Sequence, residues 1–376
     1  MKQPKLIYKT DYKIFYFALA FLMPISVSSF GIDSTVLNTS DSLNKTPELN
    51  IHIRGYVEAY YSNNLNHNSS TILDPRLVNY NRNNLLGINL AFIEFAIEHK
   101  DNKRAVLSLH SGNYVDDNYT GKDSSLKTIR EAYIGYKFKN KNLWLDAGVF
   151  NSYIGAESSI GAENPTLTRS LIAELSPYYL TGLKLSYQKN KLEAGIMLHT
   201  GWQTIVPAYS KTLPSFGTFL KYKVKKLEIN HSTFFDIDKE SEKKYFSNLY
   251  LDYPTSKKGK LMVNFDIGIA STKAYPRANY WYGTAIIYQH LLHKRISVTG
   301  RIENYFDPSG INAAYVQGNA LDCIGGSANL DLKLSQRSKL RMEYRYLHNQ
   351  KPNFYTNNNW SNSLSFFSIS LFAKFY

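Results

Sequence analysis

Only one cysteine, Cys323, occurs among the 376 residues. A lone thiol excludes an intramolecular disulfide framework and any multi-cysteine metal centre. Long hydrophobic runs are missing too: no internal segment approaches the roughly 20 apolar residues that a membrane-spanning helix needs. A helical membrane protein is thereby excluded, and the 43% hydrophobic content would suit a soluble chain equally well. The net charge is +14, or about +11 without Lys2, Lys5, Lys9, Lys13 and Asp11 near the start. What is lacking is a basic cluster on one helix or stripe, the footprint that nucleic acid demands. Bases scattered singly point instead to anionic solutes or to lipopolysaccharide.

Aromatics, by contrast, abound: 30 Tyr, 20 Phe and 4 Trp, and Tyr and Trp favour membrane–water interfaces. The final stretch, Ser361–Tyr376 (SNSLSFFSISLFAKFY), repeats with a period of two. Phe367, Ile369, Leu371, Ala373 and Phe375 share one face, and Ser368, Ser370 and Lys374 the other, with Phe372 as the exception. That is strand periodicity rather than helix periodicity. A strand oily on one face, largely polar on the other and ending on two aromatics suits the closing stave of a transmembrane β-barrel. An edge strand of a soluble sandwich reads the same way locally, so the rest of the chain has to decide.

The alternation starts at Ile51 and runs to the end. Ile51, Ile53, Gly55, Val57 and Ala59 oppose His52, Arg54, Tyr56, Glu58 and Tyr60. Short connections sit near residues 101, 141, 190, 226, 256, 294 and 337. Longer ones cover 62–83, 113–125, 151–177, 203–213, 238–246, 271–279, 306–320 and 348–360. Seven short and eight long connections predict about sixteen antiparallel strands over 51–376, with both termini on the short-turn side, as bacterial outer-membrane barrels require. A soluble sandwich would show Greek-key crossovers and has no reason to keep its short turns at one end. The expected fold is therefore all-β: a transmembrane, antiparallel, up-and-down barrel. Closure pairs every backbone N–H and C=O in hydrocarbon, and sixteen strands enclose more space than side chains fill, leaving a wet lumen. Ahead of the barrel, the lysines, the apolar run Ile14–Ile25 and the small residues Ser26–Ser28 read as a cleaved secretory signal over 1–28. A polar lead-in over 29–50 follows.

The longest connection, Asn151–Pro177, repeats Ile154-Gly155-Ala156-Glu157 as Ile160-Gly161-Ala162-Glu163. So long a loop is usually functional or disordered, and its apolar content argues against disorder. It is expected to fold into the lumen as a constriction containing Arg169, with Glu157, Glu163 and Glu174 facing bases on inward strand positions. Candidate bases are Arg54, Lys184, Lys221, Lys223, Arg301, Arg341 and Arg345; Glu58, Glu303 and Glu343 complete the expected pore lining. Opposed charges within a low-dielectric wall filter polar solutes by size and charge. Two alternatives stand beside this. The glutamates lie on the external surface, or Arg301 with Glu303 and Arg341 with Glu343 and Arg345 pair merely to satisfy one another.

Catalytic signals are poor. A barrel lipase needs a nucleophilic Ser beside a His base on the outer face. His110-Ser111 and His231-Ser232 are adjacent, so strand alternation throws their side chains to opposite faces. His67-Asn68-Ser69 has the spacing but sits in an asparagine-rich loop. His199 reads as a lumen histidine, and Asp116-Asp117 as a solvated turn more readily than a calcium site. No enzyme activity, metal or cofactor is expected.

Three stretches resemble the β-barrel porin-2, or OmpL-like, family of Gram-negative outer membranes. They are Arg130-Glu131-Ala132-Tyr133-Ile134-Gly135-Tyr136, the span Gly148–Tyr187, and Arg301-Ile302-Glu303-Asn304-Tyr305-Phe306-Asp307. Asn164, Arg169-Ser170, Ser176-Pro177-Tyr178-Tyr179 and Gly182 mark the second, and Leu340-Arg341-Met342-Glu343-Tyr344-Arg345 with the aromatic terminus completes the likeness. Where the family tends to place an aromatic between Gly155 and Glu157, this chain has Ala156. The resemblance implies an outer-membrane porin that passes small hydrophilic solutes or ions, touches lipid and lipopolysaccharide, and binds no nucleic acid. Porins of this size are commonly homotrimers, and the positive charge adds a mild anion preference. A reading from another class is a non-conducting barrel with a sealed lumen and an adhesive or structural role.

Overall fold

A computed structural model describes residues 49–66, 70–100, 102–119, 125–139, 141–206, 214–237, 242–273, 275–313, 319–356 and 359–376. The expected signal over 1–28 and the lead-in as far as residue 48 lie outside these. Leu49 and Asn50 already belong to the first strand, so the barrel starts two residues before the alternation alone indicates.

The strands are β1 (Leu49–Asn64), β2 (Leu85–His99), β3 (Lys103–Ser111), β4 (Ile129–Lys137), β5 (Leu143–Asn151), β6 (Tyr179–Lys189), β7 (Leu192–His199), β8 (Ser215–Val224) and β9 (Leu227–Ile237). They continue as β10 (Lys243–Tyr253), β11 (Gly259–Ser271), β12 (Asn279–His293), β13 (Ile296–Asp307), β14 (Leu321–Lys333), β15 (Ser338–Asn349), β16 (Phe354–Thr356), β17 (Asn359–Ser361) and β18 (Ser363–Lys374). All but β16 and β17 close into one antiparallel barrel of neighbours in sequence, in which β1 bonds both β2 and β18. That makes sixteen staves, and β16–β17 is a small hairpin inside the last long loop. Two short helices, α1 (Asn113–Asn118) and α2 (Leu171–Glu174), lie in the β3–β4 and β5–β6 connections. The tight turns take left-handed residues where the chain must reverse: φ is 63° at Asn102, 54° at Asn190 and 53° at Lys225, as two-residue hairpins demand.

Burial separates the two faces. Ile51, Ile134, Leu371 and Phe375 point outward and are 55%, 69%, 48% and 63% exposed, an oily band that only lipid accommodates. Inward on β18, Leu364, Phe366, Ser368, Ser370 and Phe372 are all buried. Phe372 breaks the polar pattern of its face because it packs beside Tyr56, with ring centroids 5.8 Å apart. Gly148 and Gly182 pair directly across β5 and β6 with φ of 142° and 150°. A Cβ there would meet the backbone oxygens of Ala132 and Leu198, so the two strands that carry the longest loop need glycine at their base.

The interior is not uniformly wet. Leu73 and Leu77 of the first long loop and Ile154, Leu171 and Ile172 of the β5–β6 segment pack against Phe234, Phe246, Trp281 and Tyr305 of the wall. A second cluster joins Tyr56, Phe92 and Phe372 to Tyr114, Ile160 and Tyr178. The long-loop half of the barrel therefore has an apolar core of its own.

Candidate functional site

One stretch of wall, on β13, β14 and β15, carries inward side chains at every second position. Their alternation comes directly from the strand period. Arg345 forks onto Glu303 through Nε and Nη2 at 2.9 and 3.0 Å. Arg301 donates to Glu343 at 3.0 Å, and Arg341 to Asp331 at 2.8 Å. All six groups are buried, and fork-on-carboxylate geometry is the strong form of such pairs.

These groups also grip the β5–β6 segment by its backbone. Arg301 donates to the Thr168 carbonyl at 2.6 Å and to Thr166 Oγ1 at 3.1 Å. Arg341 donates to the carbonyls of Gly161, Asn164 and Pro165. The wall carboxylates accept in return: Glu303 from the Leu171 N–H at 2.7 Å and Glu343 from the Thr168 N–H. Elsewhere Asn329 holds the Leu167 N–H at 3.0 Å, and Asn248 the Gly155 N–H at 3.2 Å. Irregular backbone inside a membrane barrel has no ladder to satisfy it, and here the wall supplies the partners.

Among the described residues the loop carboxylates make no direct hydrogen bond or ion pair to the wall bases that the sequence set opposite them, although Glu157 and Glu174 lie close enough to Arg301 for their charges to be felt there. Glu157 is buried and accepts from the backbone N–H of Ser170 at 3.1 Å and from its hydroxyl, a contact within the segment. Glu174 accepts from Val78 N–H at 2.9 Å, Tyr178 OH at 2.7 Å and Asn79 at 3.4 Å, which ties the segment to the first long loop. Burial pushes the Glu174 carboxyl above the usual carboxylate range. Glu163 is exposed and is bonded to no wall base among the described residues. Arg169 is buried, stacks 3.8 Å above the Tyr178 ring and donates to the Ala173 carbonyl at 2.7 Å. The physical reason is that the segment's charges are met by its own groups and by the first long loop, leaving mainly backbone groups for the wall.

The other expected lining residues fall on the inward face. Glu58 is fully buried and accepts from Tyr56, Tyr80 and Ser370 at 2.9, 2.8 and 2.8 Å. Arg54 forks onto Glu94 at 2.7 and 2.8 Å, and Arg130 joins the same carboxylate at 2.9 Å. Lys184 stands 3.8 Å from Asp146, which also holds Arg104 at 2.7 Å. Lys221 pairs with Glu228 at 2.9 Å. Lys223 sits at the exposed short-turn end of β8.

The sequence reading passed over Glu94, Arg104, Arg130, Asp146 and Asp331. Strand parity would have found most of them, but a bulge between Ser108 and Leu109 in the β3–β4 register turns Arg130 inward beside Glu131 and hides it from strict alternation. It also missed an outward Ser–His pair. His231 Nε2 and Ser247 Oγ lie 3.0 Å apart across β9 and β10. Among the described residues no carboxylate or amide is bonded to the other ring nitrogen. The flanking N–H groups sit in the strand ladder, so the pair has neither an orienting third group nor an oxyanion site. It satisfies two polar groups that face lipid. His199 is buried against Tyr153 OH at 3.1 Å. Asp116 and Asp117 lie in α1 rather than in a turn, Asp117 paired with Arg82 at 2.6 and 2.8 Å and Asp116 with Lys127 at 2.7 Å. His67, Asn68 and Ser69 lie outside the described residues.

An even-stranded, closed, up-and-down barrel with an apolar outer band and charged inner wall is a transmembrane barrel of the outer-membrane type. The family described as "Putative beta-barrel porin-2, OmpL-like" matches residues 50–375, and the chain belongs to it. It is thus an outer-membrane porin barrel, a channel in kind rather than an enzyme. The sequence matches no curated protein. Among solved structures, the outer membrane channel DcaP of Acinetobacter baumannii is similar with a TM-score of 0.61 and 10% identity, over 89% of this chain and 99% of that one. OmpT of Vibrio cholerae gives 0.59 and 9%, over 89% and 100%. An anion-selective porin from Comamonas acidovorans gives 0.56 and 11%, over 87% and 100%. At these identities the likeness concerns the fold.

Proposed function

We propose that the barrel is a passive channel for small hydrophilic solutes, narrowed by the β5–β6 segment and mildly selective for anions. The observation that carries this is the anchoring of Gly161–Leu171 to Arg301, Glu303, Arg341 and Glu343, inward groups of one stretch of wall. The segment leaves the wall at β5, reaches β13–β15 on the far side of the ring and returns to β6, so it narrows the lumen by lying across it. Glu163 is exposed on that loop and Ala156 half-buried, and the small Ala156 leaves room where an aromatic would project. Arg54, Arg104 and Lys184, each partly exposed on the inner wall, present cations to whatever passes. Association into homotrimers, which the name of one OmpT structure records for that protein, is part of this proposal, as are a cleaved signal over 1–28 and contact with lipopolysaccharide.

The apolar packing of Leu73, Leu77, Leu171, Phe246 and Trp281 favours a second reading, a barrel that conducts little and serves structure or adhesion. Single-channel recording of the refolded protein in a planar bilayer, with the reversal potential under a salt gradient, separates the two. Discrete open steps with an anion-directed reversal potential are expected. A protein shown to be folded and inserted that never opens would leave the structural barrel.

A further inference from the structure

The charge of the molecule is segregated along the barrel axis. In the eight long loops acidic and basic residues balance in number. The seven short turns are different: each carries lysine or arginine, from Lys100 in the first to Arg337 in the last, and Asp101 is their sole acidic residue. The excess positive charge that looked scattered in sequence is gathered at the short-turn mouth, the periplasmic end of such a barrel.

Inside that mouth lies a cavity of about 540 Å³. Its walls are the β10–β11, β12–β13 and β14–β15 turns and the end of β18, and Ala162 at the tip of the β5–β6 segment forms its inner limit. Lys257, Lys258, Lys294, Arg295, Lys333 and Lys374 line it and enter no ion pair among the described residues. Two further lining bases are engaged: Lys260 with Asp252 at 2.6 Å and Lys339 with Asp331 at 3.4 Å. Asp331 is the one carboxylate in the lining, and Arg341 already holds it at 2.8 Å. Glu163, exposed next to Ala162, is the segment's own negative charge near this space.

We propose that this cavity is a binding site for multivalent oxyanions, phosphate esters or polycarboxylates, at the periplasmic end of the channel. The inference rests on the channel reading for its physiological use but on the cavity alone for binding. Several cations around a concave, low-dielectric wall focus their field and concentrate counter-ions far more than the same charges spread over a convex surface. Flexible ammonium groups suit a range of oxyanion geometries, and Arg295 adds a planar fork. At the long-loop end the described loop residues Leu73, Leu77, Ile154, Leu171 and Ile172 pack apolar side chains against the wall instead.

The test is isothermal titration of the detergent-folded full chain with tripolyphosphate at low salt, for the wild type and two triple variants. Lys294→Glu/Arg295→Glu/Lys333→Glu alters exposed residues of the cavity. Lys139→Glu/Lys141→Glu/Lys226→Glu makes the same charge change on turns that do not line it. Binding is expected in the wild type and in the second variant, with affinity about tenfold or more lower in the first. It should weaken from about 0.1 M to 1 M salt as the screening length falls from about 10 to 3 Å. Equal losses in both variants would reduce the effect to net charge and overturn the site, as would absence of binding in a conducting wild type. Binding by a barrel that does not conduct would keep this site while removing the channel reading.

Discussion

The two halves of the barrel interior are stabilised by different physics. Towards the long loops, the first loop and the β5–β6 segment fill the lumen, and their backbone groups are bonded to wall arginines and glutamates that water barely reaches. Towards the short turns of β10–β15, lysines and Arg295 outnumber the one carboxylate, Asp331, around an open cavity, while other inward bases pair with Asp146, Glu228 and Asp252. The same strands run through both halves. A barrel can thus be as tightly specified as a soluble core at one end and an electrostatic funnel at the other, because strand alternation fixes only which face a side chain occupies. What stands opposite that face is left to the loops.

The contrast is broken most severely by removing a wall arginine. Arg301→Ala would leave Glu343 without its arginine and Glu303 with one partner fewer, and free the Thr168 carbonyl. Orphaning one partner of a buried pair costs about 3–5 kcal/mol, to be read as a lower urea midpoint of the folded band on gels. Shortening the β5–β6 segment by replacing residues 161–170 with a brief Gly-Ser linker should raise single-channel conductance severalfold. Unchanged conductance would show that the segment is not the restriction. Exposed charges at the other end should behave in the opposite manner. Lys294→Glu with Lys333→Glu is expected to shift folding stability by less than about 0.5 kcal/mol while moving the reversal potential towards cations.

Smaller effects sharpen the comparison. Burial raises the Glu174 pKa, so the folded loop holds that proton more tightly than the unfolded chain does. Its packing is then strongest below the ordinary carboxylate pKa and weakens as pH rises through the raised value. Open-channel noise should grow over that range in the wild type and stay flat in Glu174→Gln. Ser247→Ala, which removes the outward pair with His231, should leave conductance unchanged, and neither protein should hydrolyse phospholipid. Lipid hydrolysis by the wild type that the substitution abolishes would contradict the reading of that pair.

Much of the fold was legible in the sequence. The turns near 101, 141, 190, 226, 256, 294 and 337 all fall between the paired strands, and the expected wall residues from Arg54 to Arg345 take inward positions. The loop glutamates were not legible in the same way. Glu157 meets Ser170, and Glu174 meets a loop nearly a hundred residues earlier in the chain, and neither contact has a periodic signature. The basic mouth escaped notice for a related reason: its lysines lie a hairpin apart in sequence and become neighbours only when the barrel closes.

The sequence by itself determined the number of staves, the end that carries the short turns, and the face of nearly every strand residue. Those properties follow from a two-residue period and from turn chemistry, both of which act over a few bonds. Tertiary structure alone decided that Arg301 and Arg341 would spend their donors on the backbone of a segment more than 130 residues away, and that scattered lysines would face one cavity. Both depend on which inward side chains closure places at the same depth, and on whether each buried polar group finds a partner there.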